Sequence, residues 1–388
     1  MITTIAVKGF RSLRDLVVPL GRVTLVTGAN GVGKSSLYRS LELLSGTANG
    51  ALVPSLARQG GLASVLWAGP EVISKAMRDG EVPVQGKAKR LEPVSLGLGF
   101  ASDELGYLID IGLPTPRRTM FTNDPEIKRE VVFSGPLMRP ASTLARRRRS
   151  VVEVRHHRWQ QVMEGLPEQF SMLNELADPE QYPELLAVRR QVRGWRFYDA
   201  FRTDPAAPAR QSQVKTWTPV MAADGSDLVP ALQTILESAY AENLGSAVAA
   251  AFPGGHVYVE ENGTRLDLRF EQHGLLRPLT AEDLSDGTLR FLLLAAALLS
   301  PRPPGLLVLN EPETSLHPSM LPALCRMVVE ASRRSQVVVV SHSTALAAGL
   351  REALGDELEH HELVKDLGET LVAGRGVFDR PLWDWGSR

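Results

Sequence analysis

The chain has 388 residues, 44% of them hydrophobic and 22% charged, which is enough apolar material for a substantial core and enough length for two or three domain-sized units. Its 43 basic and 44 acidic residues nearly cancel, which excludes an argument from overall charge for nucleic-acid or membrane binding but leaves room for a local basic patch. A single cysteine, Cys325, cannot staple the chain, and the longest apolar run, Phe291 to Leu299, is about half a bilayer span.

At the N-terminus, Ile2 to Val7 and Val23 to Thr27 are rich in strand-forming residues, and Ser35 to Leu44 carries apolar residues at helical spacing. No signal-peptide pattern precedes them, and with one core-facing thiol this points to a reducing cytoplasm. From about 47 to 225 the pattern is irregular. Val94 to Phe100, Tyr107 to Ile111 and Glu130 to Phe133 read as short strands between turns. Trp159 to Met163 and Leu185 to Val192 read as short helices, and Thr203 to Gln213 as a loop.

Order returns near 226. Asp227 to Tyr240 reads as a helix, and Val257 to Glu260 with Leu266 to Phe270 as a hairpin around Asn262-Gly263. Then follow a helix from Thr288 to Leu299, a buried strand from Leu306 to Leu309, a helix from Leu321 to Ser332 and a strand from Val337 to Val340. Continuous Val/Leu strands alternating with helices predict a parallel sheet covered on both faces. The tail after Leu350 reads as short, with Gly-rich turns.

Four segments carry chemistry. Gly28-Ala29-Asn30-Gly31-Val32-Gly33-Lys34-Ser35 matches G-x-x-x-x-G-K-[ST] between a strand and a helix, the context in which glycines turn backbone N–H groups onto phosphates. Lys34 would reach the β- and γ-phosphates and the Ser35 hydroxyl would ligate Mg²⁺. The strand ending in Asn310-Glu311-Pro312 would present Glu311 to polarise an attacking water. Asn310 stands where an Asp usually helps hold Mg²⁺, and it could act only through a metal-bound water and without charge. Leu284-Ser285-Asp286-Gly287 is either an ordinary N-cap or a helix N-terminus that holds a γ-phosphate. Finally, Ser341-His342-Ser343 places His342 at a strand end, poised for the γ-phosphate. The adjacent pairs His156-His157 and His360-His361 diverge on regular elements and are expected at the surface.

Together these segments resemble ABC-type ATPases of the RecF/SMC/Rad50/OLD branch, among the bacterial "predicted AAA-family ATPases". The resemblance rests on Lys8-Gly9-Phe10-Arg11-Ser12-Leu13-Arg14, the glycine-rich loop through Ser36, Leu284 to Gly287, Asn310 to Pro318 with Glu313 and His317, and Ser341 to Ser343. It implies an α/β P-loop NTPase, an ABC-type ATPase head with a β-rich subdomain and an inserted mixed or helical region. Residues 1–46 and 226–388 would form the head and 47–225 the insertion. It also implies ATP and Mg²⁺ as cofactors, with Gly28, Asn30, Gly31, Val32, Gly33, Lys34, Ser35, Ser36 and Arg11 on the nucleotide. Glu311, His342 and Lys34 would be catalytic. Two copies would close head to tail around ATP, with Ser285 and Gly287 of one meeting the γ-phosphate held by the other. Gln59 and Gln169 are candidates for the glutamine that such ATPases place near the metal.

The stretch after His342 is too short for the acidic nuclease domain of OLD-type proteins, so no intrinsic nuclease is expected. DNA is the expected partner, in repair or defence, through the basic segment Arg139 to Arg158, which holds Arg146 to Arg149 and Arg155, with Trp159 next to it. The same run could be a solvated loop or a protein-binding face. The alternative function is a slow or non-hydrolysing ATP-dependent switch that controls a protein effector.

Overall fold

The computed structural model describes residues 1–85, 95–114, 120, 124–176, 178–199, 201–376 and 379–386. The chain divides into two compact units. One comprises Met1–Gly21, Gly28–Gly194 and His361–Arg388, the other Arg22–Thr27 and Trp195–His360.

The second unit is built on parallel strands in the order Arg196–Tyr198, Leu306–Asn310, Gln336–Val340, Val23–Gly28. From Leu306 to Leu309 and from Val337 to Val340 every side chain is buried, so these strands carry no polar face to alternate with the apolar one. The helices Leu228–Leu236, Ala241–Ala251, Asp286–Leu298 and Leu321–Ser332 contribute to one continuous core. The hairpin His256–Asn262 with Arg265–Glu271 forms as expected.

The first unit holds an eight-stranded antiparallel sheet from Ile2–Phe10 to Trp159–Met163. Its strand Ser95–Ser102 pairs directly with Ile2–Phe10, so the N-terminal hairpin shares a sheet with the region read as an insertion. The division expected at 46 and 226 therefore differs from the observed one. Val94 of the expected strand 94–100 lies outside the described residues.

Three local expectations are corrected. Trp159–Met163 is a strand paired with Val151–Arg155, not a helix; its five residues are too few for a helix to repay its nucleation. The region after Leu350 is not a set of turns: a helix, Thr344–Leu354, runs into an antiparallel hairpin, Leu358–Asp366 with Glu369–Val372. His361 is fully buried, its Nε2 2.8 Å from the Pro19 carbonyl, while His360 is half-buried against Thr27. Only His156 and His157 are exposed as expected.

Cys325 is buried, and burial pushes its thiol up to about 11. A Cβ added at Gly349 on the helix Thr344–Leu354 would lie 2.8 Å from Cys325 Sγ. Gly349→Ala should therefore destabilise by about 1–3 kcal/mol. Cys325→Ala in that background should recover about 1 kcal/mol, both read from denaturant midpoints.

Candidate functional site

The strand Val23–Gly28 leads along the chain into the glycine-rich loop, and the helix Lys34–Thr47 of the first unit leaves it. Gly33 has φ 115° and caps that helix without any side-chain hydrogen bond to its first-turn N–H groups. Those groups point at whatever lies in front of the loop, as an anion cradle requires. Gly28 has φ 144°, and Gly28 and Gly33 are each approached so closely that a Cβ would collide, with the Leu363 carbonyl and the Thr370 hydroxyl respectively. The Lys34 ammonium donates to the carbonyls of Gly28 and Ala29 at 2.6 and 3.0 Å, so it lies inside the loop. Ala29, Asn30, Gly31 and Ser35 are exposed, while Val32 and Ser36 are buried.

The hairpin Leu358–Asp366 with Glu369–Val372, not foreseen from sequence, braces this loop. Thr370 Oγ1 donates to the Val32 carbonyl at 2.6 Å and accepts from the Ser12 hydroxyl at 2.8 Å, and Lys365 Nζ donates to the Gly31 carbonyl at 3.2 Å. Glu369, nearly buried, accepts from Arg14 at 2.8 Å and from Arg78 at 2.7 Å. Arg11 sits in the left-handed region at φ 50° and donates to Gln59 Oε1 at 3.0 Å. Burial, and then the nearby Arg39, lower its pKa.

In the second unit the parallel register brings several strand ends to one edge. Tyr198 lies opposite Leu309, Asn310 opposite Val340, and Val340 opposite Val26. The residues that follow, Asp199, Glu311, Ser341-His342 and Thr27, therefore emerge together, where open α/β sheets bind ligands. Glu311 has φ 47°, a strained conformation for a non-glycine residue, and its N–H is held by the Val340 carbonyl at 2.7 Å. Its carboxylate lies 3.3 Å from His342 Nδ1.

Glu313 is the organiser of this edge. It is 9% exposed, and its Oε1 accepts from Ser341 Oγ at 2.5 Å and from the N–H groups of His342 and Ser343 at 3.2 Å each. The same oxygen lies 3.7 Å from His342 Nδ1. Arg290, 7% exposed, reaches the carbonyls of Asp199 and Glu311 at 3.4 and 3.5 Å. Burial lowers its pKa, against the opposing pull of Asp199, Glu313 and Glu311. Asp199, missed in the sequence because it follows a strand of only three residues, accepts from Asn310 Nδ2 at 2.8 Å.

Ser285 caps the helix Asp286–Leu298 by accepting from Thr288 N–H at 3.1 Å, so the ordinary capping role is fulfilled. The loop before it is fixed by buried Arg210, which donates to the carbonyls of Ala281, Glu282 and Leu284 and to Asp286. A Cβ on Gly287 would meet the Ser315 carbonyl at 2.8 Å, which gives that glycine a packing reason of its own.

The basic segment is only partly available. Along the strand Thr143–Arg148 the side chains alternate, and Arg147 is fully buried, donating to Glu130 at 3.0 Å and to the Pro167 carbonyl at 2.9 Å. The expectation of an uninterrupted surface run is corrected at that residue. Arg146 bonds Glu153 at 2.6 Å and lies over the Trp159 ring at 4.2 Å, with Arg155 at 5.7 Å from the same ring. Arg139, Arg148, Arg149 and Arg158 are exposed.

Among the described residues, no three His, Cys, Asp or Glu are grouped to hold a metal ion, and no helix is long and apolar enough to cross a membrane. A Mg²⁺ ion does not demand such a cage, since it keeps several waters and takes one or two protein groups plus substrate phosphates. Asn310 Oδ1 suits that chemistry: it is buried and has no hydrogen-bond partner.

Glu313→Ala should leave the Ser341 hydroxyl and the His342 N–H without their acceptor, the Ser343 N–H keeping Ser341 Oγ at 2.9 Å, and cost about 1–3 kcal/mol. Glu313→Gln, which keeps an acceptor oxygen, should cost less, measured by equilibrium denaturation.

The family model described as "AAA domain, putative AbiEii toxin, Type IV TA system" matches residues 141–348, a span that includes Ser285, Asn310, Glu311 and His342 and begins after the glycine-rich loop. Over 46 residues the chain is 41% identical to an OLD nuclease of Thermus scotoductus, a match spanning 12% of this chain and 9% of that protein. An SMC head solved bound to the C-winged helix domain of ScpA aligns with 97% of this chain and 98% of its own at 14% identity, with TM-score 0.51. The SMC head domain from Thermotoga maritima covers 97% and 99% at 15% identity, with TM-score 0.48. The fold is thus similar to an SMC head, and with more than half its length matched, the chain belongs to the AAA-domain ATPase family so described.

Proposed function

We propose that the chain binds and hydrolyses ATP with Mg²⁺, closes as a head-to-tail dimer around the nucleotide, and acts on DNA. The observation that carries this reading is the glycine-built cradle with Lys34 inside it, in a chain whose parallel-sheet edge holds Glu311 beside His342.

Lys34 would exchange its loop carbonyls for phosphate oxygens, a stronger charge-assisted contact. Ser35 would hold Mg²⁺ directly and Asn310 through a water. The ion would neutralise charge on the β- and γ-phosphate oxygens. Glu311 is the base that orients water, held in a left-handed backbone conformation with its carboxylate beside His342. His342, its main chain fixed by Glu313, would contact the γ-phosphate. Ser285 and Gly287 of a second copy would complete the enclosure, as in the ATPases that the sequence resembles. The buried thiol of Cys325 agrees with a reducing cytoplasm.

For DNA the support is narrower: exposed Arg139, Arg148, Arg149 and Arg158 beside Trp159. A second reading, a slow ATP-dependent switch that controls a protein effector, is favoured by Asn310, which brings no charge to the metal. Turnover separates the two readings.

Lys34→Ala should abolish nucleotide binding in calorimetry. Glu311→Gln should lower kcat by about 10²–10⁴-fold and accumulate an ATP-bound dimer on size-exclusion chromatography; a wild-type rate no higher than that of Glu311→Gln would favour the switch. For the DNA contact, replacing Arg148, Arg149 and Arg158 together by Ala should flatten the salt dependence of DNA affinity by about 0.9 in log–log slope per lost phosphate contact. An unchanged slope would move DNA off this surface.

A further inference from the structure

We infer that Asp199 is a positioning residue that makes Asn310 competent toward a metal-bound water, an inference that rests on the ATP–Mg²⁺ reading above. The strands Arg196–Tyr198 and Leu306–Asn310 are parallel, with Tyr198 opposite Leu309. Asp199 and Asn310 are the next residues on each, so they leave the sheet at the same level and meet at 2.8 Å, Asn310 Nδ2 donating to Asp199 Oδ1.

This bond fixes the amide. A side-chain amide offers a donor and an acceptor face, and a half-turn exchanges them. With the nitrogen committed to Asp199, the oxygen is turned the other way, where it is buried and has no partner. An unsatisfied buried acceptor is unfavourable, and a water on Mg²⁺ is the donor that relieves it. Were Asp199 absent, the amide could turn its N–H₂ toward that water, and donor would face donor.

Asp199 also holds the negative charge that Asn310 lacks. A carboxylate that accepts from a ligating group raises that group's basicity and locks its orientation, as second-shell partners of metal ligands do. The pair thus divides the task of one acid between two strand ends. Arg290 feels the charge of the Asp199 carboxylate, but its hydrogen bond goes to the Asp199 main-chain carbonyl, and it is the Asn310 amide that donates to the carboxylate. Asp199 is exposed, so its replacement should leave the fold intact.

The test is Mn²⁺ titration followed by electron paramagnetic resonance, on full-length protein saturated with a non-hydrolysable ATP analogue. Asp199→Asn should weaken Mn²⁺ binding by about tenfold, with metal-free nucleotide affinity and the thermal midpoint as in the wild type. Asp199→Asn/Asn310→Asp, which moves the carboxylate to the neighbouring strand end and keeps an acid–amide pair, should restore tight binding. Unchanged Mn²⁺ affinity in Asp199→Asn, or a double variant as weak as the single one, would overturn the inference while leaving the ATP reading in place. A wild-type protein that binds no nucleotide would overturn that reading and this inference with it.

Discussion

The second unit depends on one constraint: four parallel strands, the central ones buried at every apolar position, must all end at nearly the same level. Inside the sheet the backbone satisfies itself and the side chains need only be apolar. At the carboxyl edge the ladder stops, and its last N–H and C=O groups need partners that water cannot fully supply. Glu313 and Arg290 fill that need from opposite signs, one accepting from the loop after Val340 and the other donating to the carbonyls of Asp199 and Glu311. The polar residues that let the buried strands end thus also hold the main chain of those proposed for catalysis, Glu311 and His342. Charge is balanced locally, with buried Arg290 beneath the carboxylates of Asp199, Glu311 and Glu313.

The parallel core was legible because its signals are long and redundant. Leu306 to Leu309 and Val337 to Val340 are apolar at every position, and the glycine-rich loop fits few alternatives. Asp199 was not legible: its strand is three residues long, and its relation to Asn310 is a matter of register between segments far apart in the chain. Arg210 was hidden for the same reason, since its partners are main-chain carbonyls that no sequence pattern marks. The basic segment misled in a different way. Charge composition cannot tell which residues of a strand face inward, and Arg147 offsets its desolvation with Glu130 and three carbonyls.

The two units separate kinds of order. One offers a sheet whose edge assembles acids and a histidine; the other offers a glycine loop whose geometry is held from outside. Thr370, Lys365 and the Leu363 carbonyl crowd the loop closely enough that glycine is enforced at Gly28 and Gly33 by packing as well as by dihedral angle. Sequence identity between loops of this type therefore reports partly on their supports.

That support has a consequence for biosynthesis. The loop leaves the ribosome well before the hairpin that braces it, about 330 residues later in the chain. At about 5–20 residues per second, the nascent chain carries a complete glycine motif for tens of seconds before Thr370 exists to hold Val32 and Ser12. Through that interval the loop lacks its brace, so the form it has in the folded protein is deferred until the hairpin has been synthesised.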